Sequence, residues 1–184
     1  KGVSESVQSL ISEKDFNKSI NKALEALGKG AGADRVYIFE NVHNLHKNEP
    51  SMELKYDWHI EGVPDIIDND FMNSLSSGNS RHALRQSINN NSSFSMLAKQ
   101  MSEQDQAILK QYGTLSLLIV PIYVEKQFWG FIGFDNCHGE ESWSESEESI
   151  LNAAAASIGR AIEREKTNAE LIRAKEEAEK AERL

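Results

Sequence analysis

A cysteine and a histidine stand side by side at Cys137-His138, and two further histidines have the spacing His43-x-x-His46. A thiol becomes a nucleophile when a neighbouring cation lowers its pKa. Cys137 has Glu140 and Glu141 close by in sequence and only His138 as a cationic neighbour, so nothing obvious brings it into the reactive range. His43 and His46 could share a metal, but they lie in an unpatterned loop without a thiol or carboxylate cluster; a solvated loop and no metal site are expected. Gly28-Lys29-Gly30-Ala31-Gly32 is rich in glycine yet precedes a strand pattern. A phosphate loop follows a strand and opens a helix, so this run reads as a helix stop. Asp135 closes the apolar run Phe128-Trp129-Gly130-Phe131-Ile132-Gly133-Phe134. A carboxylate there must find a partner or stay partly wet, either as a ligand anchor or through a structural bond to a loop amide. The sequence holds no Gly-x-Ser-x-Gly, His-Glu-x-x-His, Cys-x-x-Cys or dinucleotide fingerprint, and no enzyme is expected in this chain.

The elements that would position these residues are legible in the periodicity. The continuous apolar run from Phe128 to Phe134 reads as a central strand buried on both faces. Ser144 and Glu147 have capping-box spacing, and Glu145, Glu147 and Glu148 put negative charge at the positive end of a helix dipole. A continuous helix from there to Leu184 would be roughly 60 Å long, too long for a domain of this size to cover. Part of it must project. Val3, Val7, Leu10 and Ile11 recur at helical spacing, and Asp15 can cap a helix whose face is Ile20, Ala23, Leu24 and Leu27, ended by Gly28 and Gly30. Arg35-Val36-Tyr37-Ile38-Phe39 and residues 52–60 read as strands of an antiparallel hairpin around a polar loop at 44–50.

The middle, residues 61–113, is the least readable part, and no function is assigned to it. Residues 65–75 are expected to be helical, 82–88 to form a short edge strand and 89–93 a polar loop. Ser102 can cap a helix containing Ile108 and Leu109 and closed by Gly113. Residues 115–124 form an apolar strand pattern, joined through Glu125-Lys126 to the Phe128 strand. Five strands interspersed with helices and no repeat indicate an α+β domain on an antiparallel sheet.

Composition bounds the partners. The chain has 184 residues, 39% hydrophobic and 8% aromatic, enough for one domain with helical extensions. A net charge of −9 and a pI near 5.1 argue against nucleic acid or an anionic membrane as partner. One cysteine excludes an internal disulfide and suits a reducing, cytoplasmic compartment. No apolar run approaches the ~20 residues of a membrane span, so this chain is not expected to touch a membrane. Opening on Lys1, it is expected to be a piece of a longer protein whose other parts can include membrane spans.

The Phe-Trp-Gly-Phe-Ile-Gly-Phe-Asp motif at 128–135, followed by Trp143-Ser144 and an Ala-rich helix, resembles the end of a GAF domain, the small sensory module of signalling proteins. Gly32-Ala33-Asp34-Arg35-Val36-Tyr37-Ile38-Phe39 resembles that family's first strand, and Tyr112-Gly113-Thr114-Leu115-Ser116 through Pro121 the strand before the Phe-Trp-Gly motif. The resemblance covers about residues 15–164. The Ala-, Glu- and Lys-rich stretch 171–183 is similar to the helical linker that enters the dimerisation domain of sensor histidine kinases.

The resemblance implies a five- to six-stranded antiparallel sheet of order 2-1-5-4-3, terminal helices on one face and a pocket on the other. By similarity to chromophore-binding members, Tyr37 and Phe39 face the pocket; alternation then adds Leu117, Ile119, Pro121, Phe131, Gly133 and Asp135. Trp58, Phe71, Phe94 and Met101 can close it from the middle of the chain. Val36, Ile38, Leu118, Val120, Ile132 and Phe134 then lie under the terminal helices. Phytochrome-like members attach a bilin through a Cys-His pair on the segment before strand four, whereas Cys137-His138 follows the last strand, so no bilin attachment is expected and the cofactor stays unknown. Methionine sulfoxide reductases of the family use several cysteines, and the cyclic-nucleotide pattern of other members is not recognisable here.

The reading divides the chain into a leading helix at 1–14, a GAF-like sensor domain at 15–163 and a coiled-coil signalling linker at 164–184 leading to a downstream kinase domain of the same chain. It is expected to act as a regulatory sensor and dimerisation module of a histidine kinase, binding a small, mostly apolar, planar ligand or relaying an upstream signal. The alternative is a ligand-free structural dimerisation and relay module. A homodimer is expected through Val3, Val7, Leu10, Ile158, Ile162, Leu171, Ala174, Ala178 and Ala181. Gly133 is expected to leave room beside Asp135, so that Gly133→Leu would fill the pocket and spare the fold.

Overall fold

The computed structural model describes residues 15–44, 49–66, 71 and 78–183. The predicted leading helix with Val3, Val7, Leu10 and Ile11 lies outside these residues, as does most of the helix expected at 65–75. Helix α1, Phe16–Ala31, starts where Asp15 accepts a hydrogen bond from the Lys18 amide at 3.1 Å. It stops at Gly32, whose φ of 66° is the left-handed geometry that glycine adopts without strain. The expected stop at Gly28 and Gly30 is therefore one turn early. Gly28 lies inside the helix, at a position where the Trp58 ring leaves no space for a side chain, 2.0 Å from where a Cβ would sit.

Strands β1, Arg35–Asn44, and β2, Glu49–His59, form the expected antiparallel hairpin, longer at the turn than predicted. The expected edge strand at 82–88 is instead part of helix α2, Gly78–Asn90. Its buried residues Ser80, Leu84 and Ser87 recur at helical spacing, but two of the three are polar, which hid the period from a hydrophobicity reading. The fifth strand, β3, is Phe94–Leu97, directly after the polar loop. Helix α3, Glu103–Gln111, is capped by Ser102, whose Oγ accepts from the Asp105 amide at 3.2 Å. Strands β4, Ser116–Val124, and β5, Gln127–Asn136, are joined by Glu125 and Lys126, both at positive φ. Helix α4, Glu145–Glu182, begins at the capping box of Ser144 and Glu147.

The sheet order is β2-β1-β5-β4-β3, all antiparallel. Alternation along the strands sends side chains to two cores. Val36, Ile38, Leu118, Val120, Ile132 and Phe134 pack under α1 and α4 with Leu24, Leu27, Leu151 and Ile158. Tyr37, Phe39, Leu117, Ile119 and Phe131 form the opposite core with Ile66, Phe71, Met101, Leu109 and Tyr112. β5 has neighbours on both edges and a core on both faces, which accounts for its unbroken apolar sequence.

Candidate functional site

Arg35 opens β1 and Asp135 lies directly opposite on β5. Both side chains are fully buried, with Arg35 Nη2 2.6 Å from Asp135 Oδ2. Arg35 Nε donates to the same oxygen at 3.1 Å, Nη1 donates to the carbonyls of Pro64 at 2.8 Å and Tyr112 at 3.1 Å, and Nη2 donates to Thr114 Oγ1 at 2.7 Å. Asp135 also accepts from the Tyr37 hydroxyl at 3.0 Å and from Thr114 Oγ1 at 3.0 Å. Thus two strands, the segment after β2 and the turn after α3 converge on one guanidinium, as a buried charge requires.

Burial pushes the Asp135 carboxyl up from its ordinary value, against the opposing pull of Arg35, Thr114 and Tyr37. Burial first, and the Asp135 charge second, push the Tyr37 phenol well above its ordinary value. Arg35 stays charged: the adjacent carboxylate outweighs its desolvation.

Beside this pair the described aromatic rings pack on one another. The Phe71 ring meets Tyr37 edge-on at 5.3 Å and Tyr112 edge-on at 5.3 Å, and stacks on Phe39 at 6.5 Å; Phe39 in turn stacks on Phe131 at 5.5 Å. The Arg35 guanidinium carbon sits 5.8 Å from the Phe71 centroid.

Of the predicted pocket residues, the structure brings together Tyr37, Phe39, Leu117, Ile119 and Phe131, and Asp135 adjoins them through Tyr37. Trp58 does not join them. It pairs with Val36 across the hairpin and therefore faces α1, on the other side of the sheet. Gly133 leaves no room beside Asp135, because a Cβ there would lie 2.1 Å from Tyr37 Cε2; the tyrosine ring already fills the space. Nor is Asp135 a free anchor or bound by a loop amide, since side chains of Arg35, Tyr37 and Thr114 engage it. Phe71 and Met101 are buried in this core, Phe94 packs at its margin from β3, and buried Pro121 lies on β4 beyond the end of β3.

Sequence reasoning missed Arg35. The available signal was a single cation opening a β-branched and aromatic run, matched by a single carboxylate closing another.

Cys137 and His138 are held by Asp34, whose Oδ2 accepts from both backbone amides at 2.6 and 3.0 Å. Burial, with Asp135 nearby, pushes the Cys137 thiol up to about 12. On α4, Ile158 and Ile162 are buried in the domain's own core and are not open to a second chain, a correction to the predicted seam. Leu171 is 64% exposed, and Ala174, Ala178 and Ala181 are exposed as well. His43 is the last residue but one of β1 and pairs with Pro50, so it lies in the hairpin and not in the expected loop, and His46 lies outside the described residues.

Residues 15–162 match the family model described as GAF domain. The chain belongs to the GAF domain family. This GAF domain is 40% identical over 169 residues to the methanogenesis regulatory histidine kinase FilI of Methanothrix harundinacea (strain 6Ac), a match covering 92% of this chain and 19% of the relative. It therefore spans about a fifth of that protein's length. Among solved structures it resembles a far-red-absorbing dark state with bound biliverdin IXa, at a TM-score of 0.69 and 13% identity over 89% of this chain and 98% of the other. A phycocyanobilin-bound GAF domain from a cyanobacterial phytochrome matches at a TM-score of 0.68 and 15% identity, over 88% and 94% of the two chains. Identities this low establish the shared fold alone. Among the described residues no helix is long and apolar enough to cross a membrane.

Proposed function

We propose that this GAF domain is the regulatory sensor and dimerisation module of a histidine kinase, passing a signal along α4 to a kinase domain in the same chain. The observation that carries the reading is the overhang of α4: residues 164–183 are exposed throughout, about 30 Å of helix beyond the domain that anchors it. A lone helix of Ala, Glu, Lys and Arg with Leu171 and Ile172 more than 60% exposed is stabilised by pairing with a second copy. The similarity to FilI supports the kinase assignment.

The signal is either a small, planar, mostly apolar molecule entering the aromatic core or a movement delivered from an upstream domain. Phe71 favours the second, ligand-free reading, because its ring fills the space between Tyr37, Phe39 and Tyr112. A ligand shifts α4 only to the extent that it binds one helix arrangement better than the other.

Light scattering tests dimerisation. The 184-residue chain should be a dimer at high micromolar concentration, and removal of residues 166–184 should shift it toward monomer. A monomeric full fragment sinks the dimer reading. Native mass spectrometry of gently purified protein separates the two signals: a stoichiometric co-purifying small molecule supports sensing, and its reproducible absence supports relay.

A further inference from the structure

Asp57 and His59 are two residues apart on edge strand β2, so their side chains share a face. The chain then turns at Gly62 and brings Asp65 back beside them: His59 Nε2 lies 2.6 Å from Asp65 Oδ1. Donor atoms of Asp57, His59 and Asp65 all fall within 4.8 Å of one another. The turn that delivers Asp65 is anchored on both sides of it. Val63 and Ile66 are buried, and the Pro64 carbonyl accepts from buried Arg35 at 2.8 Å.

The histidine ring supplies a second and independent observation. His59 Nδ1 is 3.0 Å from the Ile60 carbonyl, and a carbonyl can only accept, so the hydrogen bond places the ring hydrogen on Nδ1. Nε2 is then the ring atom that faces the carboxylates, 2.6 Å from Asp65 Oδ1. A single proton on Nε2 satisfies both atoms at this distance, and the same ring lone pair becomes available to a metal ion that displaces the proton. A backbone carbonyl fixing one ring nitrogen while the other faces the ion is the usual outer support of a metal-binding histidine.

We propose that Asp57, His59 and Asp65 form a site for a divalent transition-metal ion of the zinc class, clipping β2 to the segment 60–66. One imidazole with two carboxylates suits zinc or cobalt, whereas magnesium and calcium favour oxygen donors alone. Metal–ligand bonds of about 2.0–2.2 Å separate tetrahedral donors by roughly 3.4 Å. The close His59–Asp65 pair opens to that spacing by rotation of Asp65, whose side chain is 68% exposed. Three protein ligands leave a fourth position for water. Through Pro64 the bound ion restrains the segment that holds Arg35. The site lies at the edge of the aromatic core and does not depend on the sensor reading.

The test is calorimetric titration of the chelator-treated 184-residue chain with zinc chloride, with the visible spectrum of added cobalt(II) as a second readout. One ion per chain is expected, and His59→Gln and Asp65→Asn should each weaken binding about tenfold or more. A His43→Ala/His46→Ala double variant and Cys137→Ser should leave affinity unchanged, and the cobalt complex should show no thiolate band. Circular dichroism confirms that the variants remain folded. The proposal is overturned if zinc gives no saturable binding up to millimolar concentration, as a simple imidazolium–carboxylate pair would, if folded His59→Gln binds like the parent, or if the loop histidines or Cys137 carry the binding.

Discussion

Arg35 and Asp135 face each other across β1 and β5 with 2.6 Å between guanidinium and carboxylate, and neither is exposed to solvent. The pair stands where the aromatic core ends, and its hydrogen bonds reach the segment before Phe71 and the turn after α3. Its position makes it the junction between the sheet and the middle of the chain.

Breaking this pair from one side should cost more than removing it whole. Asp135→Ala leaves Arg35 buried without its countercharge, an expected loss of about 3–5 kcal/mol in denaturant unfolding. The double variant Arg35→Met/Asp135→Leu should lose less than Asp135→Ala alone, because no isolated charge remains. A double variant at least as damaged as the single one would show that the carbonyl and hydroxyl bonds of Arg35, and not the ion pair, hold the junction.

Phe71 should be the plug of the aromatic core. Phe71→Ala removes a fully buried ring and should cost about 3–5 kcal/mol, leaving a cavity between Tyr37, Phe39 and Tyr112. Small planar guests such as indole should then raise the melting temperature of the variant more than that of the parent. Gly133→Leu should not act as a clean pocket-filling change. With Tyr37 in the way it should destabilise the domain by about 1–3 kcal/mol or more, a loss partly relieved in a Tyr37→Ala background.

Alkaline pH should keep Tyr37 protonated for as long as the domain stays folded. Its folded pKa lies well above the ordinary 10.0, so the folded state holds the proton more tightly than the unfolded chain does. The stability this contributes is fully present below pH 10 and falls as pH rises beyond it. Absorbance at 295 nm should show at least one phenolate appearing only together with unfolding, and Tyr37→Phe should remove one such phenolate. The Cys137 thiol, raised from 9.0 to about 12, follows the same sign. Alkylation of the folded protein at pH 8 should be much slower than that of a free thiol, and co-expression with a bilin pathway should give no covalently coloured protein. Fast alkylation or attached pigment would contradict this account of Cys137.

What the sequence determined by itself was the set of elements with strong periods or explicit caps. Asp15, Ser102 and Ser144 open their helices through local hydrogen bonds, which depend on residues three positions away and on nothing distant. The two-faced alternation of β1, β4 and β5 was equally legible, because period two assigns every residue once one face is known. The sheet order came from family resemblance, and the strand pairing in the structure agrees with it. Tertiary structure decided the rest. Residues 82–88 of helix α2 look like a strand in the sequence because the helix's buried face is mostly serine, and burial of serine is invisible until a neighbour covers it. Gly28 and Gly133 read as a stop and as open space, yet both are contact points for aromatic rings from other strands. Ile158 and Ile162 belong to the domain core instead of the predicted dimer seam, since only the packed sheet shows where α4 leaves the domain. Arg35 and Asp135 are 100 residues apart, and a charge pair of that separation exists only once β1 and β5 are neighbours.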